Sequence, residues 1–259
     1  MYPILFQFGP ITIYSFGLMM ALAFLVGGWL TSRELGRKGY DPQLGSSLVL
    51  WAAVGGLIGA RLFLILEDPG EFLAHPVATL LSGSGFVWYG GLFGGMLAAY
   101  LCVRRAGVPW LTVVDAAAPS LAVGHAIGRI GCQLAGDGDW GKVTTLPWGM
   151  AYPNAIVGWP HPPGVVVHPT PLYEAGAYFA IFLYLWTTRT RPRPEGSLLW
   201  LYFVLAGTAR FLVEFVRINP PWWFGFTQAQ WISLLLVAIG SAALALPRLR
   251  GSAIASERS

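Results

Sequence analysis

Apolar residues in this chain fall in long continuous blocks, neither on one face of a helix nor at alternate positions. A helix needs about 20 mostly apolar residues to cross the hydrocarbon core of a bilayer. Seven blocks qualify, at 11–31, 44–66, 86–103, 111–135, 172–187, 197–215 and 228–246. Asp115, His125 and Arg129 interrupt the fourth, so its polar side must meet protein or water. The pattern predicts an all-α, polytopic membrane protein of about seven transmembrane helices, with 1–259 as one membrane domain.

The connections set the orientation. Arg33, Arg37 and Lys38 follow the first block, Arg104 and Arg105 the third, Arg189, Arg191 and Arg193 the fifth, and Arg248, Arg250 and Arg258 the last. The alternate connections carry only Lys142 and Arg217 as basic residues, beside Glu67, Asp68, Glu71, Asp137 and Asp139. The positive-inside rule then predicts an N-terminus outside and a C-terminus in the cytoplasm, which an odd number of spans satisfies. Two outer connections, 67–85 and 136–171, are long and rich in Pro, Gly, Trp and His; loops of that length commonly carry function. Trp148, Trp159, Trp222 and Trp223 fall where an outer aromatic belt would lie.

Composition agrees with lipid as the solvent. Charged residues make up 11% of the chain, against roughly 25% in soluble domains. The 33 glycines suit helices whose backbones approach closely. The net charge of +4 lies in the loops as a topology signal, not as a patch for nucleic acid, so no nucleic-acid partner is expected. Cys102 and Cys132 sit in apolar surroundings and form no disulfide framework. Met1-Tyr2-Pro3-Ile4 lacks a positive segment and a small-residue cleavage site, so the first block is expected to stay as a helix. No internal repeat is visible, which argues against an inverted-repeat transporter.

Three arginines remain at or inside the blocks: Arg61, Arg129 and Arg210. Each costs about 2.5–3.5 kcal/mol at a helix centre on insertion scales, so each needs a partner or a task. Snorkelling to the interface accounts for Arg61 more readily than for the other two. Arg210, Glu214 and Arg217 share a helix face, and pairing Glu214 with one arginine leaves the second cation over. Glycines flank Arg129 in Gly128-Arg129-Ile130-Gly131, so a bulky group could reach its guanidinium. Gly124/Gly128, Gly55/Gly59 and Gly90/Gly94 are small-xxx-small pairs, the last two read as helix packing. Several arginines around an outward-facing cavity beside lipid suggest an anionic phospholipid headgroup, since the planar fork matches phosphate.

Five runs carry a resemblance. They are Phe8-Gly9-Pro10 with Ser15-Phe16-Gly17-Leu18; Tyr89-Gly90-Gly91-Leu92; the stretch from Gly128-Arg129-Ile130-Gly131-Cys132 through Asp137-Gly138-Asp139-Trp140-Gly141; His168-Pro169-Thr170-Pro171-Leu172-Tyr173-Glu174; and Arg210-Phe211-Leu212-Val213-Glu214-Phe215-Val216-Arg217. In order and spacing the chain resembles the prolipoprotein diacylglyceryl transferases. The resemblance implies a seven-helix enzyme of the bacterial plasma (inner) membrane whose active site opens toward the outer face. It implies transfer of a diacylglyceryl group from phosphatidylglycerol to the lipobox cysteine of a prolipoprotein, with glycerol phosphate released. Arg129 and Arg210 would hold the phosphate, and Glu214 would orient Arg210. The candidate catalytic set is Arg129, Arg210, Glu214, Tyr89 and His125. Arg61, Gly90, Gly91, Asp137, Asp139 and His168 join the two arginines as candidate substrate contacts. No metal or cofactor is implied.

The chain departs from the family pattern at several points. Tyr89 stands where His is usual, Cys132 where Asn is usual, and Phe16 where Tyr is common. The usual Asn-Gly-Glu is replaced by Ala135-Gly136-Asp137-Gly138-Asp139 with one residue inserted, so either aspartate can match the glutamate. Tyrosine, with a pKa of about 10, is a poor base at neutral pH but can donate a hydrogen bond. His125, one turn before Arg129, is either a substitute base or a hydrogen-bonded core histidine. Cys132 reads as a packing residue more readily than as a nucleophile. His168 reads as a loop anchor, His75 and His161 as surface loop residues, and Asp115 as a cap at its helix N-terminus. Two rivals stand beside the main reading: a paralogue with a phospholipid donor and another acceptor, and a non-catalytic anionic-lipid binder or transporter.

Overall fold

The computed structural model describes residues 1–9, 11–77 and 87–256. Pro10, Phe86, Arg258 and the 78–85 part of the first long outer connection lie outside the described residues. In chain order the elements are β1 (Ile4–Phe8), β2 (Ile11–Tyr14), α1 (Ser15–Arg37), α2 (Gln43–Glu67), α3 (Pro69–Ala74), α4 (Trp88–Ala106), α5 (Trp110–Ala135), α6 (Thr170–Thr188), α7 (Ser197–Glu214) and α8 (Gln228–Ser256).

The seven long helices coincide with the seven apolar blocks, and the chain is a polytopic, mainly helical membrane protein. Five of them, α1, α2, α5, α7 and Gln228–Leu246 of α8, have the length and apolarity to cross a membrane. Helices α4 and α6 are less apolar: Arg104 and Arg105 end one, while Glu174, Tyr173, Tyr178, Tyr184 and Trp186 dilute the other. The first block needs a correction. Its opening residues, Ile11–Tyr14, form a strand paired antiparallel with Ile4–Phe8, and helix begins only at Ser15. Ile, Thr and Tyr favour extended backbone, and a strand partner lies just upstream. The Ser15 amide donates to Pro3 O at 2.9 Å and fastens the hairpin to the helix start.

The chain divides into two compact units, one of Met1–Gly27 with Val114–Ser259 and the other of Gly28–Val113. In the smaller unit α2 and α4 meet backbone to backbone. A Cβ on Gly55 or Gly59 would collide with the carbonyl oxygens of Gly94 or Gly90, and the reverse holds for Gly90 and Gly94. The two glycine pairs are packing devices, as their spacing suggested.

The larger unit has its core where Ala118, Ala122 and Ala126 of α5 pack against Tyr178, Ile181 and Leu185 of α6 and Leu198, Tyr202 and Ala206 of α7. Small residues on α5 let aromatic rings from its neighbours fill the space. Asp115 is a cap, but for another helix: its Oδ1 accepts from the amides of Leu198 (2.8 Å) and Leu199 (3.1 Å) at the start of α7. The amides of a helix's first turn have no intrahelical acceptor, so a buried carboxylate satisfies two of them.

Candidate active site

At one end of this core six charged side chains form a closed network. Glu174 of α6, 1% exposed, pairs with Arg129 of α5, with Arg210 of α7, and at 3.5 Å with Arg217. Glu214, fully buried, pairs with Arg210 at 2.8 Å and Arg217 at 3.6 Å. Asp139 pairs with Arg129 and, at 2.5 Å, with Arg217. Three guanidinium groups thus meet three carboxylates. Burial of any one ion is tolerable only because the others compensate it. Glu214 Oε1 is further satisfied by Asn219 Nδ2 at 2.6 Å and Thr227 Oγ1 at 2.8 Å.

The network is graded in depth. Arg217 is 6% exposed, whereas Arg210 and Arg129 are 19% and 23% exposed. No described hydrogen bond or ion pair engages Nη2 of Arg129 or Nε of Arg210. Glu174, Glu214 and Arg217 are therefore the buried frame, and Arg129 and Arg210 are the more exposed cations held by it.

Local structure explains how Arg217 arrives. Helix α7 ends at Glu214, so Arg217 reaches the network from the turn beyond and not from the helix face. The Gly141 segment pairs with this turn: Lys142 N donates to Val216 O at 2.8 Å, and Lys142 Nζ to Phe215 O at 2.9 Å. A Cβ on Gly141 would collide with Val216 O, so only glycine allows this approach. The 136–169 connection is an ordered cap around Trp140, Tyr152 and Val167. Tyr152 donates to Gln133 Oε1 at 2.8 Å, and burial pushes its phenol up to about 12. Trp159 packs on Trp140 at 5.3 Å and meets His161 edge-on, as part of this cap. Trp148, Trp222 and Trp223 are exposed.

The structure separates the two candidate aspartates. Asp139 meets the arginines, while Asp137 accepts the Asp139 amide at 3.2 Å and shapes the turn. Burial alone would raise the Asp139 carboxyl, but Arg217 and Arg129 outweigh it and hold the group below the usual carboxylate range. Thr170 donates to the Asp139 carbonyl and fixes this loop to the start of α6. His168 lies 3.2 Å from the Tyr173 hydroxyl, which accepts Trp148 Nε1 at 2.7 Å; it anchors the loop. His125 Nδ1 lies 2.7 Å from the Tyr202 hydroxyl, and its ring packs on Tyr178. Cys132 is buried, with Sγ 3.8 Å from Arg129 Nη1.

The remaining candidates belong to the smaller unit. Arg61 is half-buried on α2, and Tyr89 is 44% exposed in the first turn of α4. Gly90 abuts Gly59, and Gly91 faces Ala60.

A family model described as prolipoprotein diacylglyceryl transferase matches residues 3–246. The chain is 31% identical over 252 residues to the phosphatidylglycerol–prolipoprotein diacylglyceryl transferase of Clostridium tetani (strain Massachusetts / E88), covering 96% of this chain and 99% of that one. Proteins of the same name are 35% identical in Nitratidesulfovibrio vulgaris (strain DSM 19637 / Miyazaki F), over 97% of this chain and 95% of that one, and 33% identical in Bordetella avium (strain 197N), over 96% of each. The chain belongs to the prolipoprotein diacylglyceryl transferase family.

In this family member the ion network draws on three of the five resembling runs: Arg129 and Asp139 come from one, Glu174 from the second, Arg210, Glu214 and Arg217 from the third. Two of the six carry more weight here than in the sequence alone. Glu174 lies in one of the resembling runs with no role assigned to it, and Arg217 reads from sequence as a loop cation or as the cation left over. The signal was available for Glu174, because a carboxylate inside a predicted span carries the same penalty as an arginine and calls for the same explanation. Nothing in the sequence forecast the Tyr202 partner of His125, since 77 positions separate them.

Proposed function

We propose that this transferase moves the diacylglyceryl group of phosphatidylglycerol onto the lipobox cysteine of prolipoproteins in the bacterial plasma membrane. A thioether forms and glycerol phosphate leaves. The orientation is N-terminus outside and C-terminus cytoplasmic, with seven spans and the active site opening toward the outer face. The observation that carries the reading is that Arg129 and Arg210 share Glu174, are the more exposed cations of the network, and each keep a nitrogen that no described partner engages. Such a pair suits one phosphate group.

The chemistry follows from that frame. When the thiolate attacks the glyceryl carbon, the carbon–oxygen bond breaks and its electrons remain on the phosphate oxygen. The departing group gains negative charge, and guanidinium donors already fixed in place stabilise it without reorganising. Glu214 and Glu174 hold Arg210 from two sides, so the fork is set before the lipid arrives. Asp139 does the same for Arg129. Formal neutrality of the network keeps the site from trapping the anionic product.

Purified protein supplied with phosphatidylglycerol and a lipobox peptide should yield the thioether peptide and glycerol phosphate, measured by mass spectrometry. Arg210→Lys keeps the charge and loses the planar fork, and should lower kcat by about 100- to 1000-fold, the range seen when one oxyanion donor is removed. Wild-type rates in Arg210→Lys would refute the phosphate clamp. Glycerol phosphate without thioether peptide would point to another acceptor.

A further inference from the structure

A thiol must lose its proton to become the nucleophile, and the carboxylates of the network are poorly placed to take it. Glu174, Glu214 and Asp139 are each held by two or more guanidinium groups, and ion pairing weakens a carboxylate as a base. His125 is differently placed. It lies one helical turn from Arg129 on α5, deep among its neighbours but with its own ring accessible. The groups packed against it are nearly inaccessible: Tyr178 of α6 is 5% exposed, with ring centroids 4.6 Å apart, and Tyr202 of α7 is 6% exposed. The flank that carries His125 faces open space. A Cβ on Gly124 or on Gly128 would meet nothing within 4 Å, and Leu121, one turn earlier, is exposed. These small neighbours leave room beside the imidazole for a substrate chain.

We infer that His125, fixed by the Tyr202 hydroxyl and backed by the Tyr178 ring, is the catalytic base that takes the proton of the acceptor thiol. The inference rests on the proposed transfer reaction. With Nδ1 donating to the Tyr202 oxygen, Nε2 carries the lone pair, and that nitrogen removes the S–H proton. The thiolate sulfur forms its bond to the glyceryl carbon as the carbon–oxygen bond breaks. The proton on His125 then passes to the departing glycerol phosphate, which restores the neutral imidazole. Arg129 from α5 and Arg210 from α7 are the cations nearest the ring. Glu174, one turn from Tyr178 on α6, is the neighbouring anion and is already paired. Tyr202 is a positioning residue in this scheme, because it acts only through the ring it holds.

The test compares pH profiles of kcat for the full chain in lipid nanodiscs with phosphatidylglycerol and the lipobox peptide. A positioned base contributes about 100- to 10,000-fold, so His125→Gln should be slower by at least about 100-fold at pH 6.5. Without a base the substrate thiol must ionise unaided. The His125→Gln rate should therefore climb about tenfold per pH unit toward the thiol pKa of about 8.5, while the wild-type rate is nearly level over that range. Tyr202→Phe removes a single oxygen and serves if His125→Gln does not fold. It should lower kcat and steepen the profile, with KM for phosphatidylglycerol unchanged. Variant profiles that run parallel to wild type at every pH would overturn the assignment, as would wild-type kcat in either variant. A wild-type protein that makes no thioether peptide sinks the proposed function as well; parallel profiles over an active wild type sink only the role of His125.

Discussion

The α2–α4 contact in the smaller unit and the α5–α6–α7 contact in the larger one join helices by opposite means. The first sets glycines directly against carbonyl oxygens of the facing helix. The second uses alanines and aromatic rings along most of its length and finishes in six ionised groups. Lipid supplies no hydrophobic drive for helix association, so the first contact depends on close packing alone. The second carries ions whose burial is unfavourable unless every partner is present. A membrane protein that needed only stability could use the glycine solution throughout. The ionic solution is thus evidence of a task, and it sits in the unit that holds most of the family's charged motif residues.

That contrast can be broken from either side. The largest effect should come from Glu174→Ala, which strands Arg129, Arg210 and Arg217 together: a loss of about 3–5 kcal/mol of stability, read from thermal unfolding in detergent, with activity abolished. Full stability in this variant would mean that the ions are not mutually dependent. Gly59→Val should come next, at about 1–3 kcal/mol, because the added carbons meet a neighbouring backbone that cannot rotate away. Gly124→Ala, in open space, is its control and should unfold at the wild-type temperature or above. Asp139→Asn should have the smallest effect, one present at neutral pH and vanishing in acid. Asp139 is held below its unfolded value of about 3.9, so its stabilisation is present above that pH and fades as the pH falls through the lower folded value. Melting temperatures measured from pH 6 to pH 2.5 should fall less steeply in Asp139→Asn than in wild type. Equal slopes would remove Asp139 from the network's electrostatics.

Much of this fold was legible, because the bilayer imposes a length and an apolarity that the sequence must display. All seven long helices were found that way, and the glycine pairs of α2 and α4 were read correctly from spacing alone. The errors have physical causes. Ile11–Tyr14 satisfies an apolarity criterion as well as any helix does, and only its pairing with Ile4–Phe8 makes it a strand. Arg129, Arg210 and Glu214 stood out because charge inside an apolar block demands explanation. Their exact pairing did not, since Glu174 joins Arg129 to Arg210 across three helices and such convergence is a property of packing, not of local sequence. Asp115 illustrates the same limit: a cap was foreseen, but a single chain cannot announce that the capped amides lie 83 and 84 positions away.

That Asp115 bond has a mechanical consequence. Helices α5 and α7 leave it in the same direction and meet again where Glu174 joins Arg129 to Arg210, after a run of about 21 Å along α5 at 1.5 Å per residue. Two rods pinned at both ends cannot slide past each other. An arriving lipid must therefore be met by rotation of side chains between the pins, and the spacing of the two guanidinium groups is inherited from a latch at the far end of the same two helices.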